Sequence, residues 1–103
     1  MRRVIWTDDA LADYTHRVLA PIAEKNPNAA EKVGGEIKRA VGLLAEKPIG
    51  RPGRVSGTYE KLVVGHPYII AYSLEPRAGM PEDLVILRII HTARNWPPGR
   101  WPD

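Results

Sequence analysis

The chain holds neither cysteine nor phenylalanine among its 103 residues. Without cysteine there can be no disulfide, thiolate metal site or cysteine nucleophile, and the composition suits a reducing compartment. The three histidines, His16, His66 and His91, lack ligand spacing, so no metal or other cofactor is expected. No run approaches the ~18 apolar residues of a membrane span. No apolar stretch follows Arg2 and Arg3 to form a signal peptide. The expectation is a cytoplasmic protein with no membrane partner. Ser56 and Ser73 lack the Gly-x-Ser-x-Gly surround of an exposed nucleophile. Gly50-Arg51-Pro52-Gly53 lacks the Gly-Lys-Ser/Thr ending of a phosphate loop. Asp8, Asp9 and Asp13 fall on an early helix and read as dipole and surface charges, not as paired catalytic acids.

What is present fits one soluble globular domain: 44% hydrophobic and 26% charged residues leave disorder unsupported. The aromatics are three Trp and four Tyr, whose polar handles suit half-buried and interface positions. The net charge of +3 is modest, but its placement is uneven. Residues 47–61 carry Lys47, Arg51, Arg54 and Lys61 against Glu60 alone. Residues 88–100 carry Arg88, Arg94 and Arg100 with no acid. Brought together, these segments would form a basic patch for an anionic partner.

Residues 3–7 are β-prone, and Thr7 then offers a helix N-cap with Asp8 and Asp9 in the first turn. Leu11, Tyr14, Val18 and Ile22 predict an apolar stripe that Pro21 should kink or end. Asn26-Pro27 starts a second helix, with Ala30, Val33, Ile37, Val41 and Leu44 inward and Gly34-Gly35 open to close packing. A Pro/Gly/Arg loop over 48–58 precedes strands at 59–64, 68–74 and 84–91, with a long hairpin loop over 75–83. The fold class is α+β: an N-terminal strand, a two-helix hairpin, then a three-stranded antiparallel meander. The helices pack on one face of a four-stranded sheet and leave the other face open. Residues 1–96 make the domain and 97–103 an extended Pro-rich tail.

Strand alternation puts Leu84, Ile86, Arg88 and Ile90 on one side and Val85, Leu87, Ile89 and His91 on the other. An unpaired buried arginine is costly, so Arg88 belongs on the open face or in a buried ion pair, and the open face is favoured. Whether Lys61 shares that face depends on register. His91 beside arginines could act as acid or base, or could simply cap the strand end; His66 reads as structural.

Taken in order, Val4-Ile5-Trp6-Thr7, Asn26-Pro27-Asn28-Ala29-Ala30, Gly50-Arg51-Pro52-Gly53-Arg54, His66-Pro67-Tyr68-Ile69-Ile70-Ala71-Tyr72 and Leu87-Arg88-Ile89-Ile90-His91-Thr92-Ala93-Arg94-Asn95-Trp96 resemble the RelE/ParE toxins of bacterial type II toxin–antitoxin modules. The resemblance implies a cytoplasmic growth inhibitor neutralised by a cognate antitoxin in a hetero-oligomer. ParE-like members act on DNA gyrase; RelE-like members cut mRNA on the ribosome. The Ile-Ile-His-x-x-Arg-Asn ending looks more like the former. A ribonuclease would use His91, Arg88 and Arg94. Target or anion binding would fall to Arg51, Arg54, Lys61, Arg94, Trp96 and Trp101. A non-toxic nucleic-acid-binding domain is a third reading, weakened by the modest charge.

Overall fold

A computed structural model describes residues 1–102. The elements run β1 (Val4–Trp6), α1 (Asp8–Ala12), a π-helical stretch (Asp13–Leu19), α2 (Ala20–Lys25), α3 (Pro27–Glu46), β2 (Arg51–Pro52), β3 (Tyr59–Leu62), β4 (Tyr68–Arg77) and β5 (Met80–His91). The sheet order is β1-β5-β4-β3-β2, with β1 parallel to β5 and every other pair antiparallel. The α+β order of strand, helix pair and meander is thus as the sequence predicts. The sheet has five strands, not four, because Arg51–Pro52 pairs with Tyr59 and Glu60. Two residues, one of them proline, carry no strand periodicity, and the pairing depends on contacts described below. Among the described residues no helix is long and apolar enough to cross a membrane.

The first helical rod is capped by Thr7, whose Oγ1 accepts the Ala10 N–H at 3.1 Å and donates to Ile86 O at 2.9 Å. The rod does not stop at Pro21. Seven residues before Ala20 widen into π-helix, and Ala20 N–H bonds Thr15 O five residues back. A widened turn gives the proline ring clearance from the preceding carbonyls, so helix continues to Lys25. The widening also rotates the inward stripe. Ala10 and Val18 are buried, whereas Leu11, expected inward, is 47% exposed.

α3 behaves as its pattern predicts. Asn26 Oδ1 accepts Ala29 N–H at 3.1 Å, and Ile37, Val41 and Leu44 are buried. The two central glycines differ. A Cβ on Gly34 would approach Tyr14 Oη to 2.9 Å and Leu19 to 3.2 Å, whereas Gly35 faces open space. Gly34 is therefore the residue that lets the two helices meet, and Tyr14 donates to its carbonyl at 3.0 Å. These helices bury Tyr68, Ile70, Tyr72, Leu84, Ile86 and Ile89 of the sheet in one core. Each fully buried side chain of this size contributes roughly 1.5–3 kcal/mol.

Two departures concern the last hairpin. The long loop over 75–83 is instead strand on both sides of a tight turn at Ala78-Gly79, where Gly79 has φ 69°. Pro76 and Pro81 are tolerated because β3 and β1 have ended there: their outermost pairs are Tyr59↔Tyr72 and Val4↔Leu84. Second, a register shift carries the pairing from Ala71↔Arg88 to Tyr72↔Ile86. Leu87 is the extra residue, and a bulge of this kind inverts the alternation beyond it. Ile89 consequently joins Leu84 and Ile86 in the main core, while Ile90 lies opposite.

That opposite face is not open as expected. Ile69, Ala71 and Ile90 are 5%, 0% and 1% exposed although none belongs to the helix-side core. The C-terminal segment is tied in there. Thr92 N–H donates to Pro67 O at 2.9 Å and Arg88 Nη1 to Pro102 O at 2.9 Å. Residues 97–100 form a turn closed by Arg100 N–H to Pro97 O, and Pro102 is buried.

Candidate functional site

Arg88 is not on an open face. Its Nε and Nη2 donate to the two carboxylate oxygens of Asp13 at 2.6 and 3.1 Å, a bidentate pair. Asp13, expected to be a surface charge, is 2% exposed. It also accepts the Ile89 N–H at 3.0 Å. The reason is topological. β1 ends opposite Ile86, so the next free peptide of β5 needs another acceptor, and Asp13 on the helix above supplies it. The Arg88 side chain thus ties helix, strand and C-terminal segment together.

A second buried carboxylate organises the basic loop. Glu60 is 2% exposed and accepts the Arg54 N–H at 2.9 Å. Arg51 Nη2 lies 3.5 Å and Arg54 Nε 4.0 Å from its Oε1. Arg54 also stacks its guanidinium 4.0 Å from the centre of the Trp96 ring. The loop is thus tied to the strand on one side and to the C-terminal segment on the other. Gly50 fixes its entry: its N–H donates to Tyr72 Oη at 2.8 Å, and a Cβ there would collide with that hydroxyl and with Glu60 O. Burial raises the Tyr72 phenol above its ordinary range, against the lowering effect of the Gly50 hydrogen bond.

Lys61 pairs across β4 with Ile70, and Ile70 with Ile89, whereas Glu60 aligns with Ala71 and Arg88. Lys61 and Arg88 therefore belong to opposite sheet faces. Lys61 nevertheless reaches the arginines from the sheet edge, for Arg51, Arg54, Lys61 and Thr92 line one cavity of about 470 Å³. Three cations against Glu60 leave this cavity positively charged. Arg51 and Arg54 keep 66% and 39% of their side chains exposed, so both present donors outward.

His91 is held differently. Its Nδ1 accepts Ala93 N–H at 2.9 Å, and its ring meets Tyr68 edge-to-face at 5.3 Å. Its carbonyl accepts Arg94 N–H at 3.1 Å. This is the strand-end cap. The guanidinium of Arg88, one of the cations a ribonuclease would need beside it, is engaged by Asp13. His66 likewise bonds Glu36 at 2.9 Å, joining the β3–β4 turn to α3. Trp101 is half-buried, and its indole Nε1 is buried with no hydrogen-bond partner among the described residues. The structure thus assembles Arg51, Arg54, Lys61 and Trp96, and leaves Arg88 outside the group.

Glu60, Tyr72, Gly50 and Asp13 are organising residues that sequence reasoning passed over. Glu60 offered a signal: it is the lone acid in a run of four cations. Asp13 offered a weaker one, three residues after buried Ala10 and five before buried Val18.

Over residues 4–96 the chain matches the family model described as the ParE toxin of the type II toxin–antitoxin system parDE. It belongs to the ParE toxin family. A curated relative, "Putative toxin Y4kP" of Sinorhizobium fredii (strain NBRC 101917 / NGR234), is 37% identical over 97 residues, which is 93% of this chain and 94% of that protein. The ParE fold is also seen in a solved structure titled "Chromosomal ParDE TA system from P. aeruginosa", with a TM-score of 0.76 and 23% identity over 88% of this chain and 96% of that one. This ParE-family member is thus of the toxin type of a type II toxin–antitoxin system.

Proposed function

We propose that this ParE-family chain is a cytoplasmic growth inhibitor that acts by binding DNA gyrase, not by cutting RNA, and that an antitoxin holds it silent. The observation that carries the reading is the contrast between the two candidate sites. A general base needs a free nitrogen aimed at the substrate and cations beside the reacting phosphate. His91 spends Nδ1 on the backbone, and the Arg88 guanidinium is committed to Asp13. The Arg51–Glu60–Arg54–Trp96 cluster is by contrast pre-ordered, with cations presented on a buried anchor and an aromatic ring, a composition suited to a protein interface.

Substitution distinguishes the two. Asn at position 91 keeps an acceptor where Nδ1 lies but removes the imidazole. Expression of His91→Asn is expected to arrest growth within about twofold of the unsubstituted chain. Arg54→Ala with Trp96→Ala is expected to relieve arrest by at least about 30-fold in viable counts, as for a hot-spot pair. Relief by His91→Asn at equal protein level, with the double variant still toxic, would instead establish the ribosome-dependent ribonuclease.

A further inference from the structure

The basic cavity holds more donors than its own carboxylate can use. Arg51, Arg54 and Lys61 face Glu60 alone there, three cations against one anion, for a formal charge of +2. Arg51 makes one long bond, Nη2 to Glu60 Oε1 at 3.5 Å. The Arg54 guanidinium stands 4.0 Å from the same oxygen and hydrogen-bonds to no described residue. The Lys61 ammonium and the Thr92 hydroxyl, on the same cavity wall, likewise have no hydrogen-bond partner among the described residues.

This arrangement selects its ligand by charge and by shape. Two guanidiniums lie within 4.0 Å of one oxygen, so like charges are held close and an incoming anion relieves their repulsion. Glu60 cannot follow them outward, because it is 2% exposed and its other oxygen accepts the Arg54 N–H at 2.9 Å. The cations are also ordered in advance, Arg54 by the Trp96 ring at 4.0 Å and the loop entry by the bond from Gly50 N–H to Tyr72 Oη. A lone carboxylate or a phosphodiester carries a single negative charge and leaves the cavity positive. A terminal phosphate carries about −1.5 to −2 at pH 7 and three acceptor oxygens. It matches the charge of the cavity and offers each cation an oxygen, in the geometry that arginine forks favour. The volume of about 470 Å³ leaves room beyond the phosphate, against an apolar wall of Ile49, Leu62 and Ile69.

We infer that this cavity is a binding site for a terminal phosphate, held by Arg51, Arg54 and Lys61 with Thr92 as a hydroxyl donor. The phosphate is bound and not cleaved. Its consequence rests on the reading of the cluster as the target surface: an occupied cavity engages the arginines that would otherwise meet gyrase, so phosphate and target exclude each other.

The test titrates the nitrogen-15-labelled full chain with inorganic phosphate, adenosine monophosphate and acetate at neutral pH and constant ionic strength. Phosphate should shift the Arg54 and Thr92 amide signals and the arginine Nε signals saturably, with half-saturation at least about tenfold below that of acetate. Arg51→Gln and Lys61→Gln should each weaken phosphate binding by about fivefold or more while the rest of the spectrum is unchanged. Tighter binding of adenosine monophosphate than of phosphate would assign the source to an ester whose body lies on the apolar wall; equal affinity would assign it to the free ion. Equal half-saturation by acetate and phosphate, or phosphate shifts that survive in both variants, would overturn the inference. Capture of purified gyrase by the immobilised chain should fall at saturating phosphate, and undiminished capture would overturn the mutual exclusion. A chain that binds phosphate but captures no gyrase without it would remove the gyrase reading and leave the phosphate site standing.

Discussion

Asp13→Asn is expected to lower the unfolding free energy by about 3–5 kcal/mol, the usual cost of stranding one partner of a buried ion pair. Three donors converge on this carboxylate: Arg88 Nε, Arg88 Nη2 and Ile89 N–H, at 2.6, 3.1 and 3.0 Å. An amide of the same shape can accept from one or two of them, but its NH2 group then faces a guanidinium, and the Arg88 charge is left buried without a counter-ion. Arg17, 3.6 Å from Asp13 Oδ1 and 49% exposed, adds little because solvent screens it. Urea unfolding followed by circular dichroism gives the loss directly. On thermal melts it corresponds to a drop of roughly 4–8 °C per kcal/mol for a domain of this size. Pairing the change with Arg88→Met should recover most of the loss, because an apolar replacement removes the stranded charge. A loss below about 1 kcal/mol in the single variant would show that Asp13 is no keystone.

The second large effect is expected at Glu60, where function and stability diverge. Glu60→Ala removes the acceptor of the Arg54 N–H and the counter-charge of both arginines. The exposed ends of those arginines limit the stability cost to about 1–3 kcal/mol, mostly from the unpaired backbone donor. The functional cost should be greater than that figure suggests, since Arg51 and Arg54 lose the carboxylate that presents them and the Arg54 guanidinium is left with the Trp96 ring alone of these two contacts. The expected outcome is a folded protein, by circular dichroism and gel filtration, whose growth inhibition falls at least about tenfold, in keeping with loss of a pre-organised contact. Full toxicity in a folded Glu60→Ala variant would remove the cluster from the target surface. Glu60→Gln should fall between, keeping the Arg54 N–H bond while losing the charge.

The legible parts of the molecule are those with a strong period or a local signature. α3 carries five inward residues at helical spacing and a capped Asn-Pro start, and the apolar run 84–91 is the interior strand β5. Thr7 and Asn26 were readable as caps because capping needs only local side chains. What stayed hidden depends on long-range partners. The π-helical widening before Pro21 exposes Leu11, and no local rule distinguishes widening from ending. The bulge at Leu87 inverts the faces of β5, and a one-residue slip leaves the composition unchanged. The fates of Arg88 and Arg54 follow from carboxylates 75 and 6 residues away in sequence, the first far beyond any motif window. Of the candidate site residues, the basic run stands out by its charge, whereas Trp96 enters only through the family resemblance. Their assembly around Glu60 required the β3–β2 pairing.

The central claim, binding to gyrase without RNA cleavage, is tested most directly by adding the purified chain to purified gyrase with relaxed plasmid and ATP. Loss of supercoiling that rises with toxin concentration, and is reversed when the antitoxin is added first, is the expected result. It should be weakened by Arg54→Ala with Trp96→Ala and unaffected by His91→Asn. Undiminished supercoiling at all concentrations, together with new mRNA 5′ ends at codon-aligned positions in a translating extract, would contradict the account and move the activity to His91.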